Sequence, residues 1–349
     1  MRRILLLVVL SAILAVSGFA QADLQPAAIV NLIRSEPITV KQFRTEVERV
    51  EQGTGRTLNQ AERLQVLDMI INERLAVQAA ERDKVSVTDN DVNQQLQQMR
   101  NSMAQVLGRP ATEAEFNQAV REESGLDIQA FREQVRRQLT TQKYLMQKKE
   151  NLINSIKVPT RDEITQQFNL VRSQFVRPET VRFSMIQVAY GPDAASRTRA
   201  MNQANTLLRE IGSSSAKFDE VSARGQAANS TFQAGDGGYL PRNQEAQSIV
   251  GKEFIDIAFS LKLGEVSRLI EGVPGTGYQI IKITESYTMK TLELDDILQL
   301  GTNITVQDYI GNVILQERQQ TILVQASQEL VTELRAGRTF QIFERNLTW

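Results

Sequence analysis

The sequence predicts an α+β protein, mainly helical, in which a helical domain built from the N- and C-terminal segments receives a smaller α/β unit as an insert. Three observations predict it. Capped helix starts, each followed by apolar residues at three- and four-residue spacing, fill most of the first half of the chain. Between Gly235 and Ile283 the pattern changes to a Gly-rich turn, a short amphipathic helix, a tight turn and two strands. Both ends are strand-like, at Ala27–Leu32 and Thr339–Arg345. A lone strand leaves its backbone groups unpaired, so the two ends are expected to pair with each other.

The totals narrow the chemistry. A chain of 349 residues is long enough for two or three domains. Its net charge of −1 leaves no basic footprint for nucleic acid. It contains neither Cys nor His. That excludes disulfides, thiol nucleophiles and the usual zinc or haem ligands, and removes the side chain that titrates near neutral pH. Acid–base work would fall to carboxylates, Lys or Tyr, and no cofactor is expected.

Residues 1–22 read as a secretory signal. Arg2 and Arg3 form the charged start, Ile4 to Val16 the apolar run, and Ala20-Gln21-Ala22 a small-residue cleavage site before Asp23. The run is short for a membrane span, and no other apolar stretch approaches spanning length. The mature chain is expected outside the cytoplasm, with no stable membrane span.

The region 23–158 is expected to be helical after its first strand. Thr39 caps a helix through Val47. Asn59 with Glu62 opens another, with Leu64, Leu67, Ile71, Leu75 and Ala79 on one face. Thr88 with Asp91 opens a third, striped by Val92, Leu96, Met99, Met103 and Val106 and stopped at Gly108-Arg109-Pro110. Met99 and Met103 read first as core, and their flexible thioethers also suit an adaptable surface. A short helix after Thr112 carries Phe116 and Val120, and Gly125 breaks it. Asp127 caps a long helix with Ile128, Phe131, Val135, Leu139 and Met146 inward. A linking helix over 159–177 starts at Thr160 and places Ile164, Phe168, Val171 and Phe175 on one face, with Pro178 as its stop.

The unit 178–287 has a helix from Asp193 to Ile211, with Met201, Ala204, Leu208 and Ile211 inward. Its second half holds Gly235-Asp236-Gly237-Gly238-Tyr239, then Phe254 to Leu261, then Leu263-Gly264-Glu265-Val266-Ser267, then Gly277-Tyr278-Gln279-Ile280-Ile281-Lys282-Ile283. The segment 288–349 carries a helix of about thirty residues from Thr305 to Ala336-Gly337. A helix of that length is expected to dock on the N-terminal domain. Gly272 and Gly277 have phosphate-loop spacing, but Tyr278-Gln279 follows where Lys-Ser/Thr is required, so ATP is excluded as a ligand. Asp295-Asp296 reads as solvated charge, not a calcium loop.

The four pieces between Gly235 and Ile283, in that order, resemble the parvulin family of peptidyl-prolyl isomerases. The resemblance covers roughly 178–287 and reaches back to Val181-Arg182-Phe183-Ser184-Met185-Ile186, where the family has its first strand. The flanking segments are similar to the SurA-type periplasmic chaperones. The resemblance implies a four-stranded antiparallel sheet with helices for the insert. It also implies a site with two facing His residues, a Cys or Asp, and an apolar cup for the proline ring. Carried over by position, the polar places fall on Met185, Gln279 and Ala228 (or Asn229), all changed in type. The cup falls on Phe254 and Val250, with Leu240 and Tyr239 beside it, and Gly237 stands where the family has Leu, leaving one wall short.

Two functions follow from the resemblance. One is a periplasmic, ATP-independent chaperone for unfolded or nascent outer-membrane and secreted polypeptides, its parvulin-type domain weak or inactive. The other is an active peptidyl-prolyl cis-trans isomerase assisting exported proteins. The changed polar positions favour the first. A purely structural envelope protein is a third reading, and grooves with apolar walls would distinguish the first from it. Client identity and oligomeric state are not legible.

Overall fold

A computed structural model describes residues 23–273 and 277–347. The signal-like segment therefore lies outside the described residues. The chain divides into two compact units. One runs to Lys157 and resumes at Glu317, and the other runs from Val158 to Gln316.

In the first unit, strands β1 (Pro26–Asn31) and β2 (Ser35–Thr39) form a hairpin, and β9 (Phe340–Ile342) pairs antiparallel to the other side of β1. The helical domain is thus built from both ends of the sequence. Helices α1 (Val40–Thr54), α2 (Gln60–Arg82), α3 (Asp89–Leu107) and α4 (Glu113–Ser124) each begin with a reciprocal capping box, at Thr39, Asn59, Thr88 and Thr112. Helix α5 (Ile128–Lys148) is capped by Asp127, whose carboxylate accepts from Gln129 and Ala130 N–H. The helix α6 (Glu150–Ile153) is a single turn.

The main core of this unit joins Val30, Phe43, Leu67, Ile71, Leu75 and Tyr144 to Leu330 and Leu334 from the C-terminal segment. A thinner core of Val92, Leu96 and Val135 holds α3 and α5 together. Three expected inward residues face out. Leu64 is 38% exposed and Met146 44%. Each sits at the margin of its stripe, beside a better placed Val66, Leu67 or Tyr144. Val106 is 88% exposed: it stands on the last turn of α3, before the left-handed Gly108.

The second unit opens with α7 (Arg161–Val171), which passes into a 3₁₀ turn at Arg172–Gln174 and does not continue as helix to Phe175. Ile164, Phe168 and Phe175 share a core with Leu292, Val306 and Ile310. Beside it, β3 (Val176–Arg177) pairs with β8 (Lys290–Thr291). Val306 and Ile310 belong to α12 (Val306–Arg335), whose residues after Gln316 belong to the other unit.

The main sheet of the second unit has β4 (Thr180–Val188), β5 (Gln233–Pro241), β6 (Ile270–Glu271) and β7 (Tyr278–Tyr287) in the order β5-β4-β7-β6, all antiparallel. Helices α8 (Ala194–Ile211) and α9 (Ser215–Gly225) cover one face, burying Ile186, Val188, Tyr278 and Ile280. Helices α10 (Gln244–Val250) and α11 (Lys252–Ser260) cover the other. The buried stripe of α8 is Ala200, Ala204, Leu207 and Ile211, and Met201 is 40% exposed. Ala204 and Ile211 are buried as expected, while Ala200 and Leu207 take the inward places of their neighbours Met201 and Leu208. Gly264, at φ 80°, lies in the turn after α11.

Candidate functional site

Strands β4 and β7 are central and covered on both faces, so apolar side chains occur at both alternations of each. Alternation then sorts their side chains. Val181, Phe183 and Met185 of β4, with Ile281 and Ile283 of β7, face α10 and α11. Gln279 lies two residues before Ile281, on the same face. Across the ladder Met185 pairs with Ile281, and Gln187 with Gln279. Met185 and Gln279 are therefore diagonal neighbours, a spacing of roughly 7–8 Å at which long side chains still meet. Both are half-buried, as is Gln187.

The apolar residues close over this face from the helices. Phe254 on α11 is 4% exposed, and its ring meets that of Phe183 at 66° with centroids 5.3 Å apart. Leu240 on β5 is buried beside them, and Val250, the last residue of α10, packs against the same cluster. Met185, Gln279, Phe254, Val250 and Leu240 are thus brought together.

Ala228 and Tyr239 are not. Ala228 is exposed in the turn after α9, where Ser230 N–H donates to the Ala227 carbonyl at 3.0 Å. Tyr239 neighbours Leu240 on β5, so it points to the opposite face. Its hydroxyl donates to Glu285 at 3.2 Å, and the Arg182 guanidinium lies 5.1 Å above its ring. Arg182 also bonds Glu285 at 2.8 Å and Asp236 at 2.6 Å. The Arg182 guanidinium holds the Asp236 carboxyl below its usual range, helped by the Gly238 N–H. Hydrogen bonds from Tyr287 and then Arg182 do the same for Glu285. Tyr287 is pushed up to about 12, first by its bond to Glu285. Ionised carboxylates locked on one guanidinium form a clamp that ties Gly-rich β5 through β4 to β7, and they offer no general acid near neutral pH.

Sequence reasoning missed three participants. Phe183 and Gln187 lie at the same alternation as Met185, a signal that was present. Ser267, 2% exposed, accepts the Ile281 N–H at 2.9 Å, a role with no sequence signature. Lys282, on the other face, is paired with Asp219 and lies 5.4 Å from the centre of the Phe218 ring. Asp296 accepts from Glu293 N–H at 2.8 Å and from Lys290 at 2.5 Å. Among the described residues no group of three or more acidic residues is placed to hold a metal ion.

Chemically, the α11-side face carries a thioether at 185 and carboxamides at 187 and 279. An amide can donate and accept, whereas a thioether is a weak acceptor only. Prolyl isomerisation requires gripping the imide more tightly when twisted than when planar. Of these three side chains only the carboxamides at 187 and 279 can donate a hydrogen bond, and none carries a charge.

Residues 1–145 match the SurA-like N-terminal domain family. Residues 159–299 match the PPIC-type PPIASE domain family. The chain is 26% identical over 278 residues to Chaperone SurA of Saccharophagus degradans, covering 77% of this chain and 60% of that protein. It is 24% identical over 297 residues to Chaperone SurA of Pseudoalteromonas translucida, covering 82% and 66%. It therefore spans less than two thirds of these SurA relatives. Foldase protein PrsA of Clostridium botulinum is 22% identical over 307 residues, covering 88% of this chain and 80% of that protein. A solved SurA-like chaperone structure from Campylobacter jejuni aligns over 91% of this chain and 99% of its own, with a TM-score of 0.38 and 14% identity.

Proposed function

We propose that this chain, a SurA-like protein carrying a PPIC-type peptidyl-prolyl isomerase domain, works as a periplasmic, ATP-independent chaperone that holds unfolded outer-membrane or secreted polypeptides, with its isomerase-type domain weak or inactive. The observation that carries the reading is the composition of one sheet face. Met185 and Gln279 are diagonal neighbours there, and Met185 packs against the cluster that holds the almost wholly buried ring pair Phe183–Phe254. That arrangement keeps the fold while removing the polar grip.

Support for holding a chain comes from the first unit. A groove of about 530 Å³ runs along the end of α3, between Gln97, Arg100, Ala104, Pro110 and Ala111. Val106 and Leu107 stand exposed on the same final turns, with Met99 and Met103 half-buried. Apolar contact beside amide side chains suits an unfolded segment, which presents apolar side chains and unpaired backbone groups. No helix among the described residues is long and apolar enough to cross a membrane.

The alternative, an active isomerase, draws on the placement of Phe254, Val250 and Leu240 in one cluster. A parallel assay separates the two. The chain from Asp23 is tested for isomerisation of X-Pro peptides and for suppression of aggregation of a diluted, denatured outer-membrane protein. Suppression without rate enhancement is the expected result. Enhancement that Phe254→Ala abolishes, with no suppression, would reverse the assignment.

A further inference from the structure

We propose that Phe183 is an internal plug: its ring occupies the space in which a prolyl ring would be held, so that the domain takes up proline-containing chain only when Phe183 is removed or displaced. The proposal rests on the reading of this face as a parvulin-type site. It adds a residue that decides whether the site accepts its substrate class.

The geometry is specific. A Cβ placed on Gly237 would lie 2.2 Å from Cε2 and 2.4 Å from Cζ of Phe183. The ring of Phe183 therefore rests against the bare backbone of β5. The ring also meets Phe254, with centroids 5.3 Å apart. It thus touches two of the three positions that would wall a proline cup. Phe183 is 6% exposed, and its neighbours Val181, Leu240 and Ile283 are buried with it. Volume absent from β5 at Gly237 is returned from β4 by an aromatic side chain.

The two adjacent glycines serve different ends. Gly238 has φ 78°, where the β4–β5 register shifts, a conformation that disfavours a side chain. Gly237 has no such φ, and what excludes a side chain there is the Phe183 ring. Interiors are close-packed, so displacing the ring disturbs the buried side chains of the same cluster.

The test is a cycle on the full chain from Asp23: Phe183→Ala, Gly237→Leu and the two together. Stability is read as urea midpoint. Binding is read by titration with the peptide Ala-Leu-Pro-Phe, with Ala-Leu-Ala-Phe as control. Gly237→Leu alone is expected to lower the midpoint, and Phe183→Ala to restore part of that loss when added to it. Phe183→Ala is expected to bind the proline peptide at least about tenfold more tightly than the parent, with no gain for the control. If Phe183→Ala does not fold, Phe183→Leu with Gly237→Leu takes its place in the titration. Equal affinity of parent and opened variant for the proline peptide overturns the plug, as does a Gly237→Leu protein as stable as the parent. Aggregation suppression, measured alongside, should be unchanged in all variants. Its absence from every protein, parent included, would defeat the chaperone reading and leave the titration result standing.

Discussion

The backbone N–H of Asn31 donates to the carbonyl oxygen of Thr339 at 2.6 Å. This bond joins the first strand of the described chain to the segment just before the last. Phe343 N–H donates back to the Ala27 carbonyl at 2.9 Å, and Leu330 and Leu334 bury against the same core. The N-terminal helices therefore depend on residues that follow the α/β unit in the sequence. Leu334→Ala is expected to lower the stability of this unit by about 2–5 kcal/mol, the range for truncating a buried Leu. Ending the chain at Gln316 should leave β1 open to proteolysis. Limited proteolysis with mass-spectrometric mapping checks both.

Gln78 carries a second dependence. It is 0% exposed on α2, and its Oε1 accepts the N–H groups of Leu32 and Ile33, each at 3.1 Å. Its Nε2 donates to Glu36 at 3.0 Å. One side chain thus fixes the turn between β1 and β2. Gln78→Leu fills similar volume but leaves those donors unpaired, which costs about 1–3 kcal/mol for each group left unsatisfied. Urea unfolding should show a lower midpoint with an unchanged slope. A midpoint equal to the parent's would mean that water replaces the amide.

Five of the helix starts were legible because each is a local contract between an Asn or Thr and a residue three positions on. Thr39, Asn59, Thr88, Thr112 and Thr160 all form the boxes that spacing announces. The α+β class and the parvulin-like order of pieces were legible for a similar reason, since turn glycines and strand alternation are local. What a face packs against was not. Met201 and Ala200 are adjacent, and only the distance of the sheet decides which of them turns inward. The same holds for Tyr239 and Leu240. Period two puts them on opposite faces, but only the register of β5 on β4 puts Leu240 with Phe254 and Tyr239 with Arg182. Phe183 escaped notice because its importance comes from a missing side chain on another strand.

Acid should weaken the helix starts first. Glu62 is held down at about 2 by its hydrogen bonds from Arg56 and from the Asn59 N–H. Glu115 is held down at about 2 by Arg109 and by the Thr112 N–H. A carboxyl depressed in the folded state contributes stability that is present above its unfolded value, about 4.3, and is lost as pH falls through the folded value. The expected loss therefore develops between about pH 4.5 and pH 2. Both groups are exposed, so salt should blunt it. In Glu62→Gln with Glu115→Gln the midpoint should fall less steeply across that window. An identical acid limb in the double variant would assign the limb to other carboxylates.

Giving this face a prolyl isomerase activity should take both a polar grip and an open ring site. The parent is expected within about twofold of the uncatalysed rate on Ala-Leu-Pro-Phe peptides, less than 1 kcal/mol off the barrier. Met185→His and Gln279→His each return one polar group, and groups that act as a unit are not additive, so either alone should leave the rate at background. The pair places two imidazoles at diagonal neighbours on β4 and β7. That pair should still fail while the Phe183 ring rests on Gly237, because a charge or hydrogen bond beside a closed cup has no imide to hold. Only the triple change, with Phe183→Ala added, combines an open ring site with a polar grip. It should raise kcat/KM by at least about tenfold, or 1.4 kcal/mol of transition-state binding. Protease-coupled kinetics on the parent and the four variants decides the order of effects. If the His pair alone raises the rate as far as the triple variant does, access is not what limits this face, and the loss lies in the polar positions alone.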